Sequence, residues 1–235
     1  MSEWALKRFW TEAKPLVVEG GYSITLDERA VKTPAKAALV VPTLGLAEAI
    51  AAEWRAVDTK IDPNVMPFTR SANAAIDKVS VQFDEVVELI SAYADSDLLC
   101  YRADSPVELR SRQDSAWDVL LDWAKKEHGL KLTAHEGVMH KPQAAESLAV
   151  AQQLTQAMSA FELTAFHDLV GMSGSFVLGL ATAAGVENPE NMWKTSRIDE
   201  LWQEELWGKD EEATQTAAIK EAAFAHAARF FELAT

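Results

Sequence analysis

The pattern of apolar residues changes once along this chain, at Pro42, and this change limits the possible folds most strongly. Before Pro42 the apolar residues alternate or stand in short runs, as in Tyr22, Ile24 and Leu26, which is typical of strands. After Pro42 they recur every three and four residues, which is typical of amphipathic helices. The sequence therefore predicts an α+β fold, with a small N-terminal antiparallel β unit and a covering helix, followed by a larger all-helical C-terminal domain.

The covering helix is predicted directly after the strands. Two or three short strands fit between residues 16 and 42, where Gly, Asp and Pro residues mark the turns. Thr43 can cap a helix whose apolar residues continue to Trp54, and such a helix would bury one face of the sheet. We expect a domain boundary near residue 80, which gives a β-rich domain at 1–80 and a helical domain at 81–235.

Several helix ends are marked by local sequence signals. The segments S-P-V-E at 105–108 and S-A-F-E at 159–162 both match the capping box, in which a Ser and a Glu three residues later satisfy each other's amides. Gly129 and Gly208 stand where glycine commonly ends a helix, because it takes a left-handed backbone at little cost. These signals predict at least three helices beyond residue 105.

An acid stands within the apolar side of one predicted helix, in the stretch S-R-I-D-E-L-W-Q-E-E-L-W-G-K-D-E-E at 196–212. At helical spacing Ile198, Leu201 and Trp202 share one side, and Glu205 projects into the middle of it. An unpaired charge in a core is costly. We therefore predict that Glu205 is a buried, hydrogen-bonded structural acid.

The residues around Gly208 combine aromatic and acidic side chains. Trp207 precedes this glycine, and Asp210 and Glu211 follow it at the start of the last predicted helix. A carboxylate there is favoured by the helix dipole and stays reachable, and tryptophan is common among interface anchors as well as in cores. We predict a partner-binding site that consists of Glu211, Asp210 and Trp207, with Glu205 in a supporting role.

Charge and composition restrict the possible partners. The 235 residues include 36 acids and 22 bases, a net charge of −14, which disfavours binding to nucleic acid or anionic lipid. No apolar run is long enough to insert into a membrane. The single Cys100 cannot form an internal disulfide, so we expect a buried, inert thiol and a reducing compartment.

The start of the chain, M-S-E-W-A-L-K-R-F-W, lacks the features of a secretory signal or an organelle import leader. We therefore predict a soluble, cytoplasmic protein, and we expect it to be a monomer. Neither G-x-G-x-x-G nor a P-loop pattern is present. The sequence thus predicts no nucleotide or other cofactor.

Three histidines offer an alternative function. His128, His135 and His140 lie close together in sequence, so a small-molecule hydrolase or a metal-dependent enzyme could use this segment. Their spacing is irregular, and no H-E-x-x-H frame accompanies them. A third possibility is a helical scaffold whose acidic corner is only a solvated face.

Six segments, in this order along nearly the whole chain, resemble one family, the assembly chaperones of the F-type ATP synthase that hold the free α subunit of its catalytic head. The segments are L-D-E-R-A-V-K-T-P-A-K at 26–36, P-T-L-G-L-A-E-A-I-A-A-E-W at 42–54, M-P-F-T-R-S-A-N-A-A-I-D at 66–77, D-L-L-C-Y-R-A at 97–103, W-D-V-L-L-D-W at 117–123 and W-Q-E-E-L-W-G-K-D-E-E-A at 202–213.

The resemblance implies a molecular chaperone and not an enzyme. The implied function is transient binding of the α subunit, so that its subunit-facing surface is masked until the β subunit arrives. An acidic residue important in mitochondrial members aligns, on the pattern W-G-x-x-E, with Glu211, and the neighbouring Glu212 is the alternative register. The family often has Asp-Gly where this chain has Asp27-Glu28, which implies a different turn. The absence of an import leader suggests a bacterial member.

Overall fold

A computed structural model describes residues 7–235 of the chain. Residues 1–6, which form part of the start used above to exclude a leader, lie outside the described residues. The fold is α+β, as predicted, with a small antiparallel sheet near the N-terminus and helices through most of the rest.

The sheet is built around its second strand. Strand β2 (Gly21–Leu26) pairs antiparallel with β1 (Ala13–Val18), and also with the two-residue strands β3 (Arg29–Ala30) and β4 (Val40–Val41). Gly21 has a φ of 144°, and a Cβ there would lie 2.3 Å from the carbonyl oxygen of Val41. Only glycine therefore allows β4 to approach β2 at this point.

The turn between β2 and β3 contains Asp27 with a φ of 54°, a left-handed conformation that Asp tolerates better than most residues. Its carboxylate accepts hydrogen bonds from the amides of Thr11 and Glu12, at 3.0 and 2.9 Å. These bonds lower the pKa of Asp27. The turn therefore holds the segment that leads into β1.

Helix α1 (Leu44–Ala56) covers the sheet, as predicted. The Thr43 hydroxyl accepts a hydrogen bond from the amide of Leu46 at 3.1 Å, which confirms the predicted cap. Ile50 and Trp54 on this helix share one apolar core with Ile24 of β2. The helical spacing of the apolar residues after Pro42 is thus explained by burial against the strands.

The first compact unit consists of described residues 7–83 together with 159–165 and 229–235. It also contains a short 3-10 turn (Pro63–Val65), helix α2 (Pro67–Ala74) and a π-helical turn (Ala75–Val79). The boundary near residue 80 stays a prediction. No local sequence pattern indicated that residues 159–165 and 229–235 belong to this unit.

The second unit consists of residues 84–158 and 166–228. Two short strands, β5 (Tyr101–Arg102) and β6 (His135–Glu136), pair in parallel within it. The helices from α3 onward are α3 (Phe83–Ser91), α4 (Val107–His128), α5 (Ala145–Gln156), α6 (Ala160–Ser173), α7 (Phe176–Ala183), α8 (Pro189–Ser196), α9 (Ile198–Trp207) and α10 (Glu211–Ala234). Three of these helices, namely α3, α6 and α10, also contribute residues to the first unit.

Trp117 of α4 is the largest fully buried side chain of the chain's described part. Its indole donates a hydrogen bond to the carbonyl of Thr195 at 2.9 Å, and the buried Arg102 guanidinium lies 5.2 Å from its ring. Arg102 also bonds Asp114 and Asp118, at 3.0 and 2.7 Å. Its buried charge is therefore compensated, as burial requires.

Asp97 is a buried acid that joins two elements. One carboxylate oxygen accepts the amide of Leu99 and the other accepts the amide of Val177 at the start of α7, both at 2.9 Å. Burial raises the pKa of Asp97 to about 6, against the opposing effect of these hydrogen bonds. Cys100, three residues on, is buried as predicted, and burial raises the pKa of its thiol to about 12.

The predicted helix ends are confirmed at some places and wrong at one. The capping box at 159–162 forms, because Glu162 accepts the amide of Ser159 and Ser159 accepts the amide of Glu162. Gly129 ends α4 with a φ of 71°. The capping box at 105–108 does not form, since Pro106 itself occupies the cap position and the helix begins one residue later than predicted.

Candidate partner-binding site

Helix α9 carries the residues that the sequence placed at the centre of a binding surface. In the described chain, none of its residues is buried. The prediction that Glu205 is a buried structural acid is therefore wrong, and its side chain is 54% exposed. Of the side that the spacing predicted, Trp202 lines an open cleft, whereas Ile198, Leu201 and Glu205 do not.

Glu205 is hydrogen-bonded, although not in the predicted environment. It accepts from the Arg112 guanidinium of α4 at 2.7 Å, and this bond lowers the pKa of Glu205. The same guanidinium lies 4.6 Å from the Trp202 ring centroid, a cation–π distance. Arg112 thus ties α9 to α4 from one side.

The end of α9 exposes large apolar side chains. Trp207 is 78% exposed and Leu206 is 57% exposed. Trp207 is therefore not a core residue, in contrast to Trp117. Adjacent exposed apolar residues of this size commonly mark a surface that contacts another molecule.

The two predicted acids at the turn from α9 to α10, Asp210 and Glu211, differ in their contacts. Gly208 has a φ of 85° and ends α9. Asp210 caps α10, since its carboxylate accepts the amide of Ala213 at 2.7 Å. Within residues 7–235, no ion pair or side-chain hydrogen bond involves Glu211, which is exposed in the first turn of α10.

A cleft of about 420 Å³ lies beside α9 within the second unit. One side is formed by Trp202, Leu206 and Trp207 of α9. The opposite side comes from the start of α4 and from the chain around β5 and β6. The lining consists of Tyr101, Arg102, Ala103, Asp104, Ser105, Pro106, Leu109, Gln113, Gly137, Val138, Asp199, Trp202, Gln203, Leu206 and Trp207.

A hydrogen-bonded chain positions a carboxylate in this cleft. The buried Gln113 accepts the amide of Ala103 at 2.8 Å through its side-chain oxygen. Its side-chain nitrogen donates to Asp199 at 2.6 Å. Because Gln113 is held at both ends, the Asp199 carboxylate has a defined position.

The four predicted site residues do not form one pocket. Trp207 lines the cleft, and Glu205 lies on the Arg112 side of α9. Asp210 lines a separate groove of about 410 Å³, together with Glu212 and Arg197. Sequence reasoning missed Asp199 and Gln113, because their contact joins helices that are far apart in the chain.

Tyr101 contacts two of the three histidines: its ring lies 4.8 Å from that of His135, and its hydroxyl lies within hydrogen-bond distance of His140. The ring of His128 lies 5.0 Å from that of Trp123, whereas His135 bonds the carbonyl of Met139 at 3.1 Å. His140 is placed between Tyr101 and Asp95, at 3.2 and 3.3 Å. Across residues 7–235, no group of three or more His, Cys, Asp or Glu side chains is placed to hold a metal ion. The described residues therefore offer no such cluster to the metal-dependent form of the alternative.

Among the helices of residues 7–235, none is both long and apolar enough to cross a membrane.

The fold matches solved structures along almost the entire chain. The structure of Atp12 from Paracoccus denitrificans is 45% identical and covers 99% of this chain and 100% of its own, with a TM-score of 0.96. An Asp-to-Lys variant of P. denitrificans Atp12p covers 100% of both chains, with 45% identity and a TM-score of 0.97. Atu1473 of Agrobacterium tumefaciens is 38% identical and covers 97% of this chain and 86% of its own, with a TM-score of 0.91.

Together with the exposed aromatic and acidic surface, these matches define the class of the protein as a molecular chaperone. Protein atp12, mitochondrial, of Schizosaccharomyces pombe is 27% identical over 223 residues, which cover 89% of this chain and 76% of that protein. Residues 7–125 match the family model of the ATP12 chaperone protein. The chain belongs to this family, whose members are chaperones of ATP synthase assembly. The resemblance drawn from the sequence is thereby confirmed.

Proposed function

We propose that this chaperone binds the free α subunit of the F-type ATP synthase and masks its subunit-facing surface until assembly. The observation that supports this most directly is the corner between α9 and α10. Trp207 is exposed there, and Glu211, four residues on, has no ion pair or side-chain hydrogen bond within residues 7–235. Family membership supports an ATP synthase subunit as the partner.

The apolar part of this corner can supply binding free energy. Burying a tryptophan removes roughly 150–250 Å² from water, which corresponds to about 4–6 kcal/mol before the costs of association. Leu206 lies next to Trp207 and is also exposed. A client surface that aggregates when free would offer apolar groups to both side chains.

The charged part of the corner selects a basic client. Residues 199–212 include seven acids and one base. Of the predicted acids, Glu205 already pairs with Arg112, and Asp210 already caps α10. Glu211 is the acid whose carboxylate is left to pair with an arginine or lysine on the client, so we assign it the main role.

The proposal is tested by capture of purified α subunit on immobilised chaperone. Glu211→Lys is expected to weaken capture at least about tenfold, because the variant puts like charges together in the interface. Glu146→Lys is the matched control, since Glu146 is also an exposed acid in the first turn of a helix, α5. Glu212→Lys tests the alternative register.

Circular dichroism and thermal unfolding establish that each variant is folded. If the folded Glu211→Lys variant captures the α subunit at wild-type strength, the role of Glu211 is wrong. If the wild-type protein does not capture the α subunit at all, the proposed partner is wrong.

A further inference from the structure

The cleft beside α9 has the shape of a site for a side chain of a partner. Its volume of about 420 Å³ lies in the range of pockets that enclose small organic groups. Trp202, Leu206 and Trp207 form one apolar wall, and Leu109 and Val138 stand on the other side. Val138 is 87% exposed, so the mouth of the cleft is open and apolar.

The charge inside the cleft is negative. Asp199 and Asp104 contribute carboxylates, and Arg102 contributes a guanidinium. Arg102 is buried and already bonds two other carboxylates, Asp114 and Asp118. Its charge is therefore compensated behind the lining, and the carboxylates of Asp199 and Asp104 determine what the cleft attracts.

The combination of indole rings and a fixed carboxylate favours one cation over the other. A guanidinium is planar, stacks on aromatic faces and donates two parallel hydrogen bonds to a carboxylate. An ammonium is a compact, strongly hydrated charge that gains less from such a site. Trp202 already contacts one guanidinium, that of Arg112, at a cation–π distance on the protein's own side.

We propose that this cleft takes an arginine side chain, flanked by an apolar residue, from the ATP synthase subunit that the chaperone binds. The guanidinium bonds Asp199 and packs on Trp202 and Trp207, while the apolar neighbour covers Leu206 and Val138 at the mouth. The inference rests on the proposed function for the identity of the partner. It goes further in naming the group that is recognised and the residues that recognise it.

A direct test uses short peptides and the indole N–H signals of the two tryptophans in ¹⁵N NMR spectra. The probes are acetyl-Leu-Arg-N-methylamide, its citrulline analogue, which is neutral with nearly the same shape, and its lysine analogue. Trp202→Phe and Trp207→Phe variants assign the signals. We expect saturable shifts with the arginine peptide in the range of about 1–10 mM, much weaker shifts with lysine, and none with citrulline.

Equal shifts with the citrulline and arginine peptides would overturn the proposal, because the charge would then be irrelevant. No shift with the arginine peptide across the same range would overturn it as well. Equal responses to lysine and arginine would contradict the preference for a planar cation.

A second test places the cleft in the client complex. Asp199→Asn keeps an oxygen that can accept from Gln113 but removes the charge of the side chain. Asp104→Asn removes the charge of the exposed carboxylate at the rim of the cleft. Glu200→Gln, on the same helix but outside the cleft lining, is the matched control. We expect Asp199→Asn to weaken capture of the α subunit about tenfold or more and to remove the response to the arginine peptide, while Glu200→Gln changes neither.

The outcomes separate this inference from the proposed function. If the wild-type protein captures the α subunit and the Asp199→Asn/Asp104→Asn double variant captures it equally well, the cleft is not used, and the proposed function stands. If the wild-type protein binds the arginine peptide but does not capture the α subunit, the proposed client is wrong, and the cleft recognises a different arginine-bearing partner.

Discussion

Replacing Asp97 with asparagine tests how a buried carboxylate contributes to the stability of the second unit. The substitution keeps the shape of the side chain and removes the charge whose burial raises the pKa of Asp97 from 3.8 to about 6. Its amide nitrogen cannot accept one of the two backbone amides that the carboxylate accepts, and this cost does not depend on pH. The difference in stability between wild type and variant should therefore change with pH only as the wild-type carboxyl ionises.

The sign of this difference follows from proton binding. Between pH 3.8 and about 6 the folded protein holds the Asp97 proton more tightly than the unfolded chain does. The stability that this proton provides is complete below pH 3.8 and is lost as the pH rises through about 6. The pKa change corresponds to about 3 kcal/mol at pH 7.5, and about half of it is already expressed at pH 5.

Urea unfolding of wild type and Asp97→Asn, followed by tryptophan fluorescence from pH 4.5 to 8, measures this quantity. Relative to wild type, the variant should gain about 2 kcal/mol of stability between pH 4.5 and 7.5, on top of a constant cost for the lost hydrogen bond. Asp122→Asn is the control, because it removes the same kind of charge from a side chain that is exposed on α4.

A difference that stays constant with pH would refute the reasoning about Asp97. So would a difference that changes in favour of wild type as the pH rises. Either result would mean that the amides of Leu99 and Val177, both 2.9 Å from the carboxylate, stabilise the charged form at least as much as burial destabilises it.

Two further predictions concern packing and reactivity. Gly179→Ala should lower the free energy of unfolding by about 1–3 kcal/mol in urea titrations, because a Cβ there would lie 2.6 Å from a methyl group of Val170. Gly171→Ala is the control, because Gly171 lies in open space on α6. This variant should leave the free energy of unfolding unchanged or raise it by up to about 1 kcal/mol. At pH 8 Cys100 should react with a thiol reagent at least about 100-fold more slowly in the native protein than in urea. The reason is that burial raises the pKa of its thiol to about 12. Equal rates in the two states would contradict the burial of Cys100.

The sequence predicted those features that depend on short-range contacts. Thr43 caps α1 and the pair Ser159 and Glu162 caps α6, because both interactions connect residues three apart. Gly129 ends α4 for the same local reason. At 105–108 the same rule failed, because the extended backbone of Pro106 shifted the helix start by one residue.

The candidate site was predicted only in part, because burial depends on what lies opposite a helix. Spacing showed that Glu205 shares a side with Trp202. It could not show that Glu205 meets Arg112 of α4, or that the cleft lies along Trp202, Leu206 and Trp207. The position of Asp199 depends on Gln113, 86 residues earlier. The spacing of apolar residues around an exposed tryptophan such as Trp207 is the same as around a buried one. The sequence therefore could not decide between core packing and contact with a partner.

The exposure of the corner between α9 and α10 has a consequence for how tightly a client can be held. Along the described chain, no residue from 197 to 223 is buried, so polar contacts such as Arg112–Glu205 and Gln113–Asp199, and not burial, hold this segment to α4. Any ordering that the client imposes on this segment must be subtracted from the affinity. A segment of this kind suits the proposed function, in which the chaperone releases its client, because any cost of ordering it shortens the lifetime of the complex and so favours transfer of the client to the assembly.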